Sequence, residues 1–508
     1  MSARDASGLD RLRQDGQALM EELSREYYAA HAGLQQGAEL QQVYARHPAA
    51  LGDEPLAMTR EAFLESPSGS EAKRQSRMLL DWQVEALASR ELAPLEEREI
   101  AWEGAAMVRL PDGRGVPFQK VSIEIANSGD RAARLEMEEA RASLVERELH
   151  PMRDERLQRE RELTESLQLA DGYVPAWELL SGIDLRSLRD ECAAFLRDTQ
   201  AMWSDTLPRT LRKRLDISVE DATRSDALAL FRARQFDEGF PARRMESSIL
   251  GQVGEMGIDA LAEGRIRLDT GEREGKRARA FCAPVRVPEE VYLVLRPHGG
   301  QGDWTTFLHE LGHALHFAYM RPELPFEYRW LGDNSVTEGY AMLFDHLMHD
   351  GGWVKRYTEL PASRLPEYHH SEGFAELHML RRYCAKLVYE VAMYDGSVPW
   401  RSVPDLYVET LTAATTFRYR RADALVDIDP RFYAARYLRA WQLQALLTET
   451  LRERYDVDWW RNPRCGPWMV AELFGEAQRE LAHEQAARVT GKKLDFAPLV
   501  RSVERLLG

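Results

Sequence analysis

The sequence predicts a mainly α-helical protein: two largely helical halves, with a small antiparallel β element beside a metal-binding helix. Three observations lead there. Apolar residues recur at three-to-four spacing through long charged stretches, β-prone runs are confined to two short segments, and a His-Glu-x-x-His sequence falls on one of the apolar-periodic stretches.

Taken in order, residues 8–30, 70–100, 131–170 and 185–215 read as amphipathic helices. AMVRLPDGRGVPFQKVSIEIANSGD, around 106–130, sets Asp112-Gly113 between β-prone runs and reads as a hairpin. ARAFCAPVRVPEEVYLVLRPHGG, 278–300, holds two short apolar runs around Pro284 and Pro288 and ends in the loop HGGQGD. The charged stretch RDERLQRERELTES at 153–166 reads as a solvated helix face. No internal repeat or low-complexity linker stands out. A boundary near residue 230 would separate a helical N-terminal half, 1–230, from a C-terminal half, 231–508, that holds the candidate catalytic residues.

Composition bounds the function. With 508 residues, 44% apolar and 30% charged, the chain is long enough to bury a large core and too apolar for general disorder. No apolar run approaches a bilayer span, and MSARDASGLDRLRQDGQALMEELSREYY lacks the apolar core of a signal peptide. The expected location is therefore cytoplasmic, with no membrane partner. A net charge of −16 argues against a nucleic-acid partner, which would require a basic surface. The four cysteines, Cys192, Cys282, Cys384 and Cys465, are too far apart for a C-x-x-C site and are expected as free thiols.

The metal-binding expectation rests on DWTTFLHELGHALHFAYM, Asp303 to Met320. Asp303 is a suitable N-cap, and Phe307, Leu308, Leu311, Ala314, Leu315 and Ala318 recur at helical spacing. His309 and His313 then fall one turn apart on one face, with Cβ atoms about 5–6 Å apart. Both imidazoles can reach one zinc ion at about 2.0–2.1 Å. Glu310 can meet the activated water without binding the ion. A surface helix can carry the same letters by chance. The other positions here are those of a buried helix, where two histidines without a partner would be costly.

A third ligand is needed. Position 319 is tyrosine, so the extended pattern with a third histidine in the same helix is absent. In GDNSVTEGYAMLFDHLMHD, Glu338 lies near the start of a helix expected to end at Gly351-Gly352. Two readings stay open: Ser335-x-x-Glu338 is also a capping box, whereas Glu338 beside the two histidines would complete the His₂Glu set of hydrolytic zinc enzymes. Asp345, two turns on, is a candidate acceptor for a metal-bound imidazole. His316, His346, His349, His369, His370 and His378 also cluster nearby in sequence, each equally readable as structural.

HELGHALH at 309–316, with SVTEGYAML placing Glu338 25 positions after His313, resembles the thimet oligopeptidase and oligoendopeptidase F family of zinc metallopeptidases. ARAFCAPVRVPEEVYLVLRPHGGQGDWTTFLHELGH is similar to that family's strand pair leading into its zinc helix. DIDPRFYAARYLRAWQLQALL, 427–447, is similar to the late helix whose tyrosines stabilise the tetrahedral intermediate. The resemblance implies two helical halves around a deep channel for short peptides. It implies zinc held by His309, His313 and Glu338, with Glu310 as general base and Tyr437 with Tyr433 as oxyanion donors. The strand near 289–296 would pair with the substrate backbone. The family's histidine shortly before the tyrosine helix has no counterpart in ADALVDIDP, and Thr305 stands where an acidic residue is usual.

Without the resemblance, Tyr433, Tyr437 and Trp441 read as a core stripe at helical spacing. Two other functions share these residues: a zinc exopeptidase of the same fold, and a peptide-binding protein without turnover.

Overall fold

The long amphipathic stretches fold as long helices, among them Ala3–His31, Glu71–Ala105, Leu365–Tyr394 and Tyr433–Tyr455. They are seen in a computed structural model that describes residues 3–277 and 279–508. Met1, Ser2 and Ala278, the first residue of the expected second β segment, lie outside the described residues. The protein is mainly α-helical, as expected. The expected helix over 131–170 is broken into Arg131–Leu144, a π-helical turn Val145–Leu149 and His150–Ser166. Pro151 stands at the break, where its missing N–H and its ring disfavour an ordinary helical turn. No helix among the described residues is long and apolar enough to cross a membrane.

Strands are confined to two small sheets. β1 (Met107–Arg109) and β2 (Gly115–Pro117) pair antiparallel around Asp112-Gly113, the expected hairpin. Gly113 has φ +83°, a conformation that favours glycine. The second β-prone run is mostly not strand: Phe118–Asn127 is helical, because Val121 and Ile125, four apart, are both buried on one face.

The second sheet has three strands ordered β3–β5–β4, with β3 at Ile266–Asp269, β4 at Phe281–Arg286 and β5 at Glu290–Val294. β4 and β5 form the expected antiparallel pair, and β3, which sequence reasoning missed, runs parallel to β5. The order corrects one expectation. β5, the strand within 289–296, is central and bonded along both edges, so the outer edge of the sheet on this side belongs to β4. Lys276 closes the loop between β3 and β4. Its buried ammonium donates to Asp269 O, Asp269 Oδ1 and Gly271 O at 2.8, 3.0 and 2.9 Å, which uses all three donors.

The chain divides into two compact units. The first comprises Met1–Leu87, Gln235–His369 and Arg439–Ser502; the second comprises Ala88–Arg234, His370–Leu438 and Val503–Gly508. Of the points where the chain passes between them, only Arg234/Gln235 falls near the expected boundary at 230. In the first unit, helix Ala3–His31 covers the three-stranded sheet, with Ala32, Phe281, Ala283 and Val294 forming a buried cluster beneath Tyr28 and Tyr292. Arg74 holds Glu484 at 2.5 Å and Arg479 O at 3.0 Å, tying together parts of that unit 410 and 405 residues apart.

Two helices of the first unit, Gln301–Tyr319 and Asn334–Asp345, approach at backbone distance. A Cβ at Gly312 would lie 2.6 Å from Ala341 Cα and 2.9 Å from Tyr340 O. Backbone cannot yield as a flexible side chain does, so Gly312→Ala is expected to push the helices apart. A loss of about 1–3 kcal/mol should follow, read as a lower thermal unfolding midpoint.

Candidate metal centre

Helix Gln301–Tyr319 begins one turn earlier than expected, with Gly300 rather than Asp303 at its N-cap. Asp303 instead accepts hydrogen bonds from His298 N and Gly299 N at 2.7 and 2.9 Å, and so pins the HGGQGD loop to the first turn. Trp304, Phe307, Leu308, Leu311, Ala314, Leu315 and Ala318 are buried along the helix. The amphipathic pattern therefore leaves His309, Glu310 and His313 half-buried on the remaining face.

Helix Asn334–Asp345 removes the cap reading of Glu338. Its N-cap is Asp333, whose carboxylate accepts from Ser335 N at 2.9 Å, so Glu338 does not close a capping box with Ser335. Glu338 turns toward the histidines, with Oε2 3.5 Å from His309 Nε2 and 3.7 Å from His313 Nε2. The helix also ends at Asp345 rather than at Gly351-Gly352; a 3₁₀ turn, His346–His349, follows.

The outer nitrogens are occupied. His309 Nδ1 lies 2.8 Å from Asp345 Oδ2, and His313 Nδ1 lies 2.9 Å from Thr337 Oγ1. Asp345 Oδ1 in turn meets His346 Nδ1 at 2.5 Å. In the tautomer with Nδ1 donating outward, each ring would turn an Nε2 lone pair toward the space beside Glu338. The three candidate ligand atoms lie within 4.8 Å of one another. A tetrahedral ion with bonds of about 2.0–2.1 Å places its donors about 3.3–3.4 Å apart, close to the spacing here. Two imidazoles and one carboxylate thus fit a divalent metal and leave a fourth position open.

Charge is sorted within the cluster. Burial lowers the affinity of His309 for a proton, but Asp345 and Glu338 outweigh it and hold the pKa up to about 10. Burial dominates at His313 and pushes it down to about 4. Burial also works against ionised Asp345, yet His346 and His309 hold it down to about 2, a firmly anionic acceptor. Glu310 is raised above the usual carboxylate range by burial. Its Oε2 accepts from the Cys282 backbone N–H of edge strand β4 at 2.8 Å.

Asp345 is therefore placed as the sequence suggested; His346 was noted only as one of a cluster, and Thr337 and the Cys282 amide were missed. Thr337 immediately precedes Glu338 and could have been found by asking which hydroxyl shares the ligand's helical turn. Asp345→Ala is expected to weaken metal affinity about 10–100-fold, measurable by titration against a competing chelator.

His349 stands edge-on to His346 with centroids 4.7 Å apart, and the remaining histidines of that stretch lie elsewhere. His316 is fully buried against Tyr340 and Phe317, and burial pushes it down to about 3, a neutral core residue. His378 stacks on Phe231 with centroids 4.4 Å apart in the second unit, where His370 also hydrogen-bonds to Leu507 O. His369 borders Gly351 in the first unit.

Tyr433 and Tyr437 open helix Tyr433–Tyr455 and belong to the second unit. Both are half-buried, with ring centroids 5.0 Å apart in an edge-on arrangement. A 3₁₀ turn, Pro430–Phe432, precedes them, in which Arg431 and Phe432 take φ +57° and +56°. Left-handed backbone at such residues costs about 1–3 kcal/mol each and persists only where the surroundings enforce it. Phe432 is buried against Tyr173 and Tyr394, and Arg431 pairs with Glu160 at 2.8 Å.

No protein-family model matches the chain, and no curated protein matches it in sequence. Among solved structures, the chain is similar to a carboxypeptidase of Pyrococcus furiosus at 13% identity and a TM-score of 0.64, over 100% of this chain and 99% of that one. The likeness extends over both units and shows the fold.

Proposed function

We propose that this chain is a zinc-dependent peptidase that hydrolyses short peptides. The observation that carries the reading is the convergence of His309 Nε2, His313 Nε2 and Glu338 Oε2, with Glu310 next to the first ligand on the same helix. A zinc ion held by His309, His313 and Glu338 would supply Lewis acidity, lowering the pKa of a water toward neutrality and polarising a carbonyl. Glu310 takes the proton of the attacking water and delivers it to the leaving amine. Its burial strengthens its grip on that proton, and the Cys282 amide fixes one carboxylate oxygen. Asp345 and Thr337 keep the two imidazoles oriented. The family resemblance would give Tyr437 with Tyr433 the role of oxyanion donors. The outer edge of β4, rather than β5, offers main-chain groups to an extended peptide.

The resemblance in motifs points to cleavage within the peptide. The full-length likeness to the Pyrococcus furiosus carboxypeptidase favours a second reading, removal of residues from the C-terminus. Short peptides with free and amidated C-termini, incubated with and without chelator and analysed by mass spectrometry, separate the two. Internal cuts in amidated peptides support the endopeptidase. Stepwise C-terminal loss that amidation blocks supports the carboxypeptidase. Absence of any chelator-sensitive cleavage overturns both in favour of a peptide-binding protein.

A further inference from the structure

We infer that Cys192 and Cys384 are a modification site: a buried pair of thiols that hydrogen peroxide joins into a disulfide between helices Leu185–Asp198 and Leu365–Tyr394. Both cysteines belong to the second unit, and neither has a part in the peptidase reading.

The pair is built by two helices packed in opposite directions. On helix Leu185–Asp198, Leu185, Leu188, Cys192 and Phe195 form one buried stripe. On helix Leu365–Tyr394, Leu380, Cys384, Leu387 and Val391 recur at three-to-four spacing and are likewise buried. At one end of the contact, buried Arg381 donates to Leu196 O at 2.8 Å and to Thr199 Oγ1 at 2.6 Å. At the other, Arg189 Nη1 lies 4.0 Å from Asp395 Oδ2, just past the end of the long helix. Cys192 stands one turn before Leu196, and Cys384 one turn after Arg381, so the antiparallel packing brings the two thiols together. Their side chains are in hydrogen-bonding contact, both are free, and each is 0% exposed. The other two cysteines, Cys282 and Cys465, belong to the first unit.

A buried cysteine commonly serves as a small apolar side chain. Two features go beyond that use here: each thiol has the other as a partner, and Cys384 has the Arg381 guanidinium nearby. Burial and the Cys192 thiol push the Cys384 thiol well up, and Arg381 acts against them. Cys384 is thus the sulfur whose thiolate has a cation to favour it, and Cys192 is placed to resolve the product. The Cys384 thiolate attacks one oxygen of hydrogen peroxide and the O–O bond breaks. The sulfur becomes a sulfenic acid, and the departing hydroxide takes up the proton released by the thiol to give water. The Cys192 sulfur then attacks the Cys384 sulfur, the S–OH bond breaks, and the hydroxide leaves with the Cys192 proton as a second water. Two thiols are oxidised and one peroxide is reduced to two waters. The raised thiol makes the first step slow, which suits a response to sustained rather than brief exposure.

The test treats the folded full chain with hydrogen peroxide at neutral pH, unfolds it in an alkylating agent and maps it by mass spectrometry without reduction. The peptides holding Cys192 and Cys384 should be found linked. The thermal midpoint should rise by about 2–8 °C, because the bond closes a long loop of the unfolded chain. Cys192→Ser should remove both the link and the rise, with Cys384 recovered as sulfinic acid; Cys192→Ala gives the same comparison should the serine variant not fold. Recovery of both thiols in alkylated form, after an exposure that oxidises free cysteine in the same solution, overturns the inference. Linkage of either thiol to Cys282 or Cys465, or a lower midpoint in the linked protein, overturns it as well. So does a linkage rate that rises in step with the unfolded fraction in low denaturant, since the bond would then form in unfolded chains rather than at a site made by the fold.

Discussion

Glu310→Gln is expected to remove most peptide hydrolysis while leaving the metal bound. Glu310 lies outside the ligand set, so the substitution leaves His309, His313 and Glu338 untouched. Glutamine has nearly the same volume, and its carbonyl oxygen can accept the Cys282 N–H as the carboxylate does. What disappears is the proton acceptor. General acid–base catalysis contributes about 10²–10⁴-fold, and turnover should fall by that order with zinc content and unfolding midpoint close to those of the parent. Hydrolysis at the parent rate would mean that the activity arises at another site.

His313→Ala should have the larger effect, because it removes the metal as well as the chemistry. His313 supplies one of three donors, and its loss leaves one imidazole and one carboxylate, too few to hold a divalent ion tightly. Thr337 Oγ1 loses its partner at the same time. Elemental analysis should find little zinc, and peptide turnover should fall to the level of chelated parent protein. Full zinc occupancy in this variant would show that the ligands lie elsewhere. Together the two substitutions separate holding the ion from using it.

The metal centre was largely legible because its parts are set by local helix geometry. His309 and His313 are one turn apart, which fixes their common face whatever the tertiary structure. Glu338 was ambiguous for a physical reason: serine followed by glutamate three residues later suits a cap as well as a ligand, and only Asp333 taking the cap decides between them. Contacts between separate elements left no local trace. The Cys282 amide reaches Glu310 from a strand 28 residues upstream. β3 is too short for periodicity to mark, and its parallel pairing with β5 needs a crossover that no turn signal announces. The hydrogen bond from Asp429 N to buried Glu390 joins positions 39 residues apart, and in sequence Glu390 does not differ from an ordinary surface charge.

The interleaved course of the chain has a consequence for how the protein is made. All three proposed metal ligands lie between residues 309 and 338, near the middle of the sequence. The unit that holds them also needs the first helix, which packs on the sheet at Phe281 and Val294, and a late segment that includes Glu484, the partner of Arg74. Such distant pairings form slowly, since much chain must be ordered before they form. A nascent chain stalled once the stretch through residue 345 has left the ribosome would display every proposed ligand, yet would lack the closing segment 439–502. It should bind zinc weakly and remain open to protease. Tight metal retention should appear only as synthesis nears its end, which would make premature loading of an unfinished chain self-limiting.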